Sequence, residues 1–156
     1  MAIHITPSHP DRMAETWKED DILFKRFRNH WTDTSYNFNN KTVYDCLRDY
    51  DVIAWDWTGV RQERINIGDK IFIYFSKISM ISCLTEVIDV DYFPILDRPL
   101  VAVLKKNNWF DLNTSEQLSF QNLRNNGLTS QLQNLATVTE NNNLLKYIKE
   151  VTHVDF

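Results

Sequence analysis

The chain has 156 residues, 43% hydrophobic and 13% aromatic, with a formal net charge of -4. That length fits one domain able to bury a core without disulfides or metal, and the aromatic content excludes a disordered chain. Three glycines and four prolines exclude collagen-like and linker-like sequences, and the acidic balance excludes a histone-like polycation.

From the N-terminus, Ile3 and Ile5 alternate with polar residues, which predicts a short strand over Ala2 to Thr6 stopped by Pro7. Pro10 is placed to open a helix running through Arg12 and Met13 toward Lys18. Leu23, Phe24 and Phe27 recur at helical spacing between Asp20 and Asn29. His30 to Asn40 has no period and reads as loop. Val43, Cys46 and Leu47 predict an amphipathic helix over Thr42 to Tyr50.

The middle of the chain changes character. Val52 to Trp57 reads as a strand, Asn66 to Asp69 as a turn, and Lys70 to Ser76 as a strand buried on both faces. Ile81 to Val90 alternates as a further strand until Pro94, and Pro99 to Leu104 adds another. Thr114 is expected to begin a helix, with Gln117 as its capping-box partner and Gly127 closing it. Leu144, Leu145, Ile148 and Val151 form the stripe of a last helix starting near Thr139. Five or six strands with short connections argue for an antiparallel or mixed sheet curled into a small barrel. The absence of a Gly-rich strand-to-helix turn argues against a doubly wound fold.

Few residues suit catalysis. Cys46 and Cys83 are distant and lack CxxC spacing, so they read as reduced, buried thiols. His4, His9, His30 and His153 show no ligand spacing. Asp89 and Asp91 form a DxD that suits a solvated edge better than a cation site. Ser76 has no base paired with it in sequence. The N-terminus lacks a basic start before an apolar run, and no apolar stretch nears the roughly 20 residues of a membrane span. The expectation is a cytoplasmic protein with no metal, no cofactor and no membrane contact.

The aromatic residues carry more information. Trp55 and Trp57 stand two apart in a strand, so they share one face with Asp56 opposite. Either both rings pack the core, or at least one walls a pocket for a flat, polar-edged ligand. Tyr74 and Ser76 likewise share a face, and Trp31 is a candidate to close the pocket from the aromatic loop. Arg61 with Arg64, and Lys105 with Lys106, could follow a phosphate backbone if they converge.

The run Trp57-Thr58-Gly59-Val60-Arg61, the strand Ile67-Gly68-Asp69 to Ser76, and Glu86-Val87 resemble the EVE domain of the PUA-like superfamily. Leu118 to Asn126 and the Val138-Thr139-Glu140 entry to the last helix fit the same pattern, so the resemblance spans Val52 to Val151. The family usually has glycine where this chain has Ser82-Cys83-Leu84. The resemblance implies one α+β domain over 1–156. Residues 1–50 would hold a strand and a variable helical region, and 51–151 a curved mixed or antiparallel barrel with closing helices. It also implies a non-enzymatic reader of a modified nucleobase, in DNA more than in RNA, with Tyr74 and Ser76 lining the pocket. Such a reader must lift the base out of its stack. Partners would include modification or restriction systems. A second expectation is a protein-interaction subunit of such a system without a ligand. A third is an enzyme using Asp89, Asp91 or Glu86.

Overall fold

The computed structural model describes residues 1–14, 21–30 and 41–156. Its strands are β1 (Ile3–Ser8), β2 (Val52–Trp57), β3 (Lys70–Phe75), β4 (Met80–Tyr92), β5 (Leu100–Trp109) and β6 (Ala136–Thr137). Its α-helices are α1 (Ile22–Arg26), α2 (Val43–Asp49), α3 (Leu112–Gln117), α4 (Phe120–Asn125) and α5 (Asn142–Thr152). The strands form one mixed sheet in the order β2-β5-β4-β3-β1-β6, with β1 and β3 parallel and the other pairs antiparallel. Among the described residues no ladder joins β2 to β6, so the sheet is open.

Alternation along the strands divides the core. One face carries Ile53, Trp55 and Trp57 of β2, Ile71, Ile73 and Phe75 of β3, and Leu100, Ala102 and Leu104 of β5, packed on Val43, Cys46 and Leu47 of α2. The opposite face is covered in two halves. Ile3, Ile5, Phe72 and Tyr74 meet Leu118, Leu123, Leu144 and Ile148 from the C-terminal region. Val101 and Val103 meet Phe24 and Phe27 beside α1. Register shifts fall between Ile73 and Tyr74, Leu84 and Thr85, and Val87 and Asp89. Each such irregularity bends its strand and increases local twist, curling the sheet around the tryptophan-bearing face.

Several predicted boundaries move. The strand expected to stop at Pro7 runs on to Ser8. Ala2 and Ser8 offer their carbonyls to Lys70 and Ser76 on the β3 side, whereas Ile3 offers its carbonyl to Val138 on the β6 side. Pro7 shares the parity of Ile3 and lies beyond the two-residue β6, so no ladder partner needs its missing N–H. The helix expected from Pro10 is absent over 10–14. There the Arg12 carbonyl accepts from Val43 N–H at 2.7 Å, Ala14 N–H donates to Lys41 carbonyl, and Met13 bridges Thr42. Tertiary pairing overrides the local helix signal. Residues 15–18 of that expected helix, and Trp31 with most of the expected loop, lie outside the described residues.

The long C-terminal helix also resolves differently. Asp111, rather than Thr114, caps α3 by accepting from Thr114 N–H, and Ser119 caps a separate α4. Gly127 follows α4 with φ of +111°, and a Cβ there would meet Asn141 Oδ1 at 3.3 Å. The last helix starts at Asn142, capped by Asn141.

Candidate functional site

β1 turns its polar residues inward. Its apolar side chains, Ile3 and Ile5, join the opposite core, so His4, Thr6 and Ser8 face the tryptophan side beside Ile71, Ile73 and Phe75. All three polar residues are buried. Buried polar groups need partners: Thr6 finds one across the open side of the sheet, His4 finds its own on the adjacent β6 and the turn before β3, and Ser8 has only a marginal one.

The Trp57 indole N–H donates to Thr6 Oγ1 at 2.9 Å. This joins edge strand β2 to β1, next to the opposite edge. Next to it, Arg12 Nη2 lies 2.9 Å and Arg98 Nη1 3.2 Å from Oδ1 of Asp56. Trp57 therefore ties β2 to β1 on the inner face, and Asp56 ties it to the segment after β1 on the other. Ser8 lies between Thr6 and Arg12 in sequence. It is 8% exposed, and its hydroxyl has a 3.5 Å contact to the carbonyl of its own neighbour, His9. That contact is at the limit of a hydrogen bond, so Ser8 keeps unspent donor and acceptor capacity. Ser76 N–H donates to the Ser8 carbonyl at 2.9 Å, which holds the exposed Ser76 against this point.

A second bridge stands farther along β1. His4 Nε2 is 3.0 Å from Asp69 Oδ2, and His4 Nδ1 is 2.9 Å from Thr137 Oγ1. Asp69 also accepts from the backbone N–H of Ala2 and Asn66, and Arg64 donates to Thr137 Oγ1 at 2.8 Å and to the Leu135 carbonyl. The carboxylate fixes the proton on Nε2, so Nδ1 accepts from the threonine hydroxyl. Burial lowers the His4 pKa; the Asp69 hydrogen bond and charge oppose this, while Arg64 adds to it. The neutral imidazole thus links an acid and a hydroxyl with both ring nitrogens engaged, and the hydroxyl in turn accepts from the Arg64 guanidinium.

The predicted site residues do not gather in one place. Trp55 and Trp57 are 5% and 6% exposed and belong to the core on one face. Tyr74 is buried on the other face, 6.2 Å from the Phe120 ring. The structure therefore separates Tyr74 from the paired indoles by the thickness of the sheet, and Ser76 lies past the strand end. Strand parity alone would have kept Tyr74 and Ser76 together, but β3 ends at Phe75. Arg61 is exposed, and Arg64 is spent on β6. Lys105 is exposed on β5 opposite Val52, and Lys106 Nζ donates to the Arg48 carbonyl at 2.7 Å. The lysines flank the start of β2, whereas Arg64 is tied to Leu135 and Thr137 at the β6 edge of the sheet. They do not make one patch.

Two grooves open on the described surface. One of about 380 Å³ runs between Gln62, Glu63 and Asn66 and the end of β4 at Asp91 and Tyr92, floored by Ile65 and Leu100. The other, about 720 Å³, lies beside Thr137, Thr139 and the start of α5. Neither is lined by Trp55, Trp57, Tyr74 or Ser76. Cys46 and Cys83 are buried and unbonded, with burial pushing their thiols up to about 11 and about 12. Among the described residues, no group of three or more His, Cys, Asp and Glu side chains is placed to hold a metal ion. No helix there is long and apolar enough to cross a membrane.

Thr6, Ser8, Arg12 and Arg98 were not legible as site residues. The signal for the first two was available: polar residues alternating with Ile3 and Ile5. A half-buried strand normally turns such residues to water, and only the curl of the sheet turns them inward. Compared with known proteins, the chain matches no family model, no curated protein and no solved structure.

Proposed function

We propose that this chain is a non-enzymatic nucleic-acid-binding module of the EVE type. It would read a modified nucleobase where Trp57 of β2 meets Thr6 of β1. The observation that carries the reading is Ser8: a buried hydroxyl with almost no partner, two residues from a threonine that holds an indole in place. A lifted base needs a rigid wall and a few polar groups to read its edge. Trp57, fixed through Thr6, supplies the wall, and Ser8 with Ser76 supplies the polar edge. Trp55 packs behind Trp57 in the same core. Tyr74 supports the opposite face of β3 in this reading and does not touch the ligand.

The side-chain bridges Trp57–Thr6 and Arg64–Thr137 also support a PUA-like barrel closed by side chains where the ladder stops. The proposed setting is cytoplasmic, with modified DNA as ligand ahead of RNA and with a modification or restriction system as partner. A second reading, a protein-docking subunit without a ligand, is favoured by one observation: both indoles are enclosed.

Fluorescence anisotropy with oligonucleotides, each carrying one modified base, at a fixed salt near about 100 mM separates the two readings. One modification should bind at least about tenfold tighter than the plain oligonucleotide. Ser8→Ala should remove most of that preference, as expected for one lost buried hydrogen bond, with little change in Tm. A wild-type protein that prefers no modified oligonucleotide sinks the reader and leaves the docking subunit.

A further inference from the structure

Arg12 and Arg98 reach Asp56 from different parts of the chain. Arg12 comes from the turn after β1, and Arg98 from the loop between β4 and β5. Both point at the same atom, Oδ1 of Asp56, at 2.9 and 3.2 Å. Two guanidiniums carry ten N–H donors and two charges, whereas one carboxylate cancels one charge and offers about four acceptor positions. The cluster is left with one net positive charge and a surplus of donors. Asp97, next to Arg98, forms an ion pair with neither arginine.

Exposure is graded in a useful direction. The Asp56 side chain is 19% exposed, Arg12 31% and Arg98 47%. The carboxylate sits behind, and the two forks stand between it and solvent. Other described cations that pair with carboxylates are matched differently. Arg26 is held by two carboxylates, Asp89 and Asp91. Arg48 has Asp45 and Asp49. Lys77 has Asp11. In those places the acid matches or outnumbers the base. At Asp56 the base outnumbers the acid.

We infer that Arg12 and Arg98 form a clamp for one backbone phosphate of a nucleic-acid strand, with Asp56 as the residue that holds the two guanidiniums ready. Planar guanidinium forks match the paired oxygens of a phosphate, and a phosphodiester carries the single negative charge the cluster lacks. The placement fits such a clamp, since Asp56 precedes Trp57 in β2 and Arg12 follows Ser8 by four residues. Through Asp56 the two guanidiniums are fixed one residue before the indole, on the other face of β2. This inference rests on the nucleic-acid reading above and assigns its backbone contact to residues other than Arg61, Arg64, Lys105 and Lys106.

The test is the salt dependence of binding to a single-stranded oligonucleotide that the wild type binds, measured from about 50 to about 300 mM NaCl. One lost phosphate contact lowers the magnitude of the log–log slope by about 0.7 on a single strand. Arg98→Gln and Arg12→Gln should each weaken binding and flatten the slope by roughly that amount or less, and the double variant should flatten it no further than one phosphate allows. Arg98 lies on an exposed loop, so its variant remains informative if Arg12→Gln folds poorly. Wild-type binding with an unchanged slope in Arg98→Gln overturns the clamp alone. Absence of wild-type binding to every oligonucleotide overturns the nucleic-acid reading and the clamp with it.

Discussion

Two polar networks are anchored on β1, one reaching over the open side of the sheet to Trp57 and one tying β1 to its neighbours β3 and β6, and they are built on opposite terms. At the His4 bridge the buried side chains are fully partnered: Asp69 takes three N–H groups, the imidazole uses both nitrogens, and Thr137 gives one hydrogen bond and takes one. At the Trp57 bridge the sum does not close. Ser8 is buried with a marginal contact, and two arginines share one carboxylate oxygen. A complete network in a low-dielectric interior fixes geometry and resists change. An incomplete one holds capacity for something that is not part of the chain. The first bridge therefore reads as a structural pin. The second carries the unspent hydrogen-bonding capacity and charge on which the proposed reader rests.

The comparison breaks most readily at Trp57. If its ring is both wall and core, Trp57→Ala should cost about 3–5 kcal/mol of stability by denaturant titration. A loss well under about 1 kcal/mol would mean the ring packs little and belongs wholly to a ligand. Next comes the pin. Asp69→Ala leaves the N–H groups of Ala2, Asn66 and His4 without their acceptor, and should cost about 2–4 kcal/mol. Oligonucleotide binding measured well below the shifted Tm should keep its affinity, because the pin does not touch the Trp57 bridge. Lost affinity in the folded variant would erase the distinction between the bridges.

The smallest expected effect is that of pH. The folded protein holds His4 at a lowered pKa, so below about pH 6.5 the unfolded chain binds more protons than the folded one. The stabilisation by neutral His4 is full above pH 6.5 and is lost as pH falls through the lowered value. Asp11, Asp49, Asp89 and Asp111 also sit below their ordinary value, so what they contribute persists to below about pH 3.8 and leaves a separate window for His4. At Asp89 burial raises the pKa, and Arg26, His30 and the Val90 N–H together outweigh it. Melting curves between pH 8 and 5 should show Tm falling below pH 6.5, with a shallower fall in His4→Gln. An identical fall in that variant would remove His4 as the cause.

Much of the sheet could be read from pattern. β2 matches its predicted bounds, and β3 shows the continuous burial its apolar run implies. α2 sits where the Val43, Cys46 and Leu47 spacing places it, with Thr42 as its cap. What escaped prediction depends on partners far along the chain. β6 is two residues long and exists because β1 offers an edge. The turn at 10–14 is held by residues 41–43. The split between α3 and α4 follows from Ser119, whose hydroxyl caps the second helix and which pairs with Met80. The candidate site was legible only as tryptophans on one face. Its polar half needed the curl, and its charged half needed Arg12, Asp56 and Arg98, which are 44 and 42 residues apart in successive steps.

Pro7 has a consequence for how molecules of this protein behave toward one another. A strand lying at a margin, with a regular row of free amide hydrogens and carbonyls, is a template on which another polypeptide can stack without limit. Where β6 gives out, that row would continue along β1, but the pyrrolidine nitrogen interrupts it. The fold thus carries its own stop against fibril-like growth at the margin where its protecting strand is shortest.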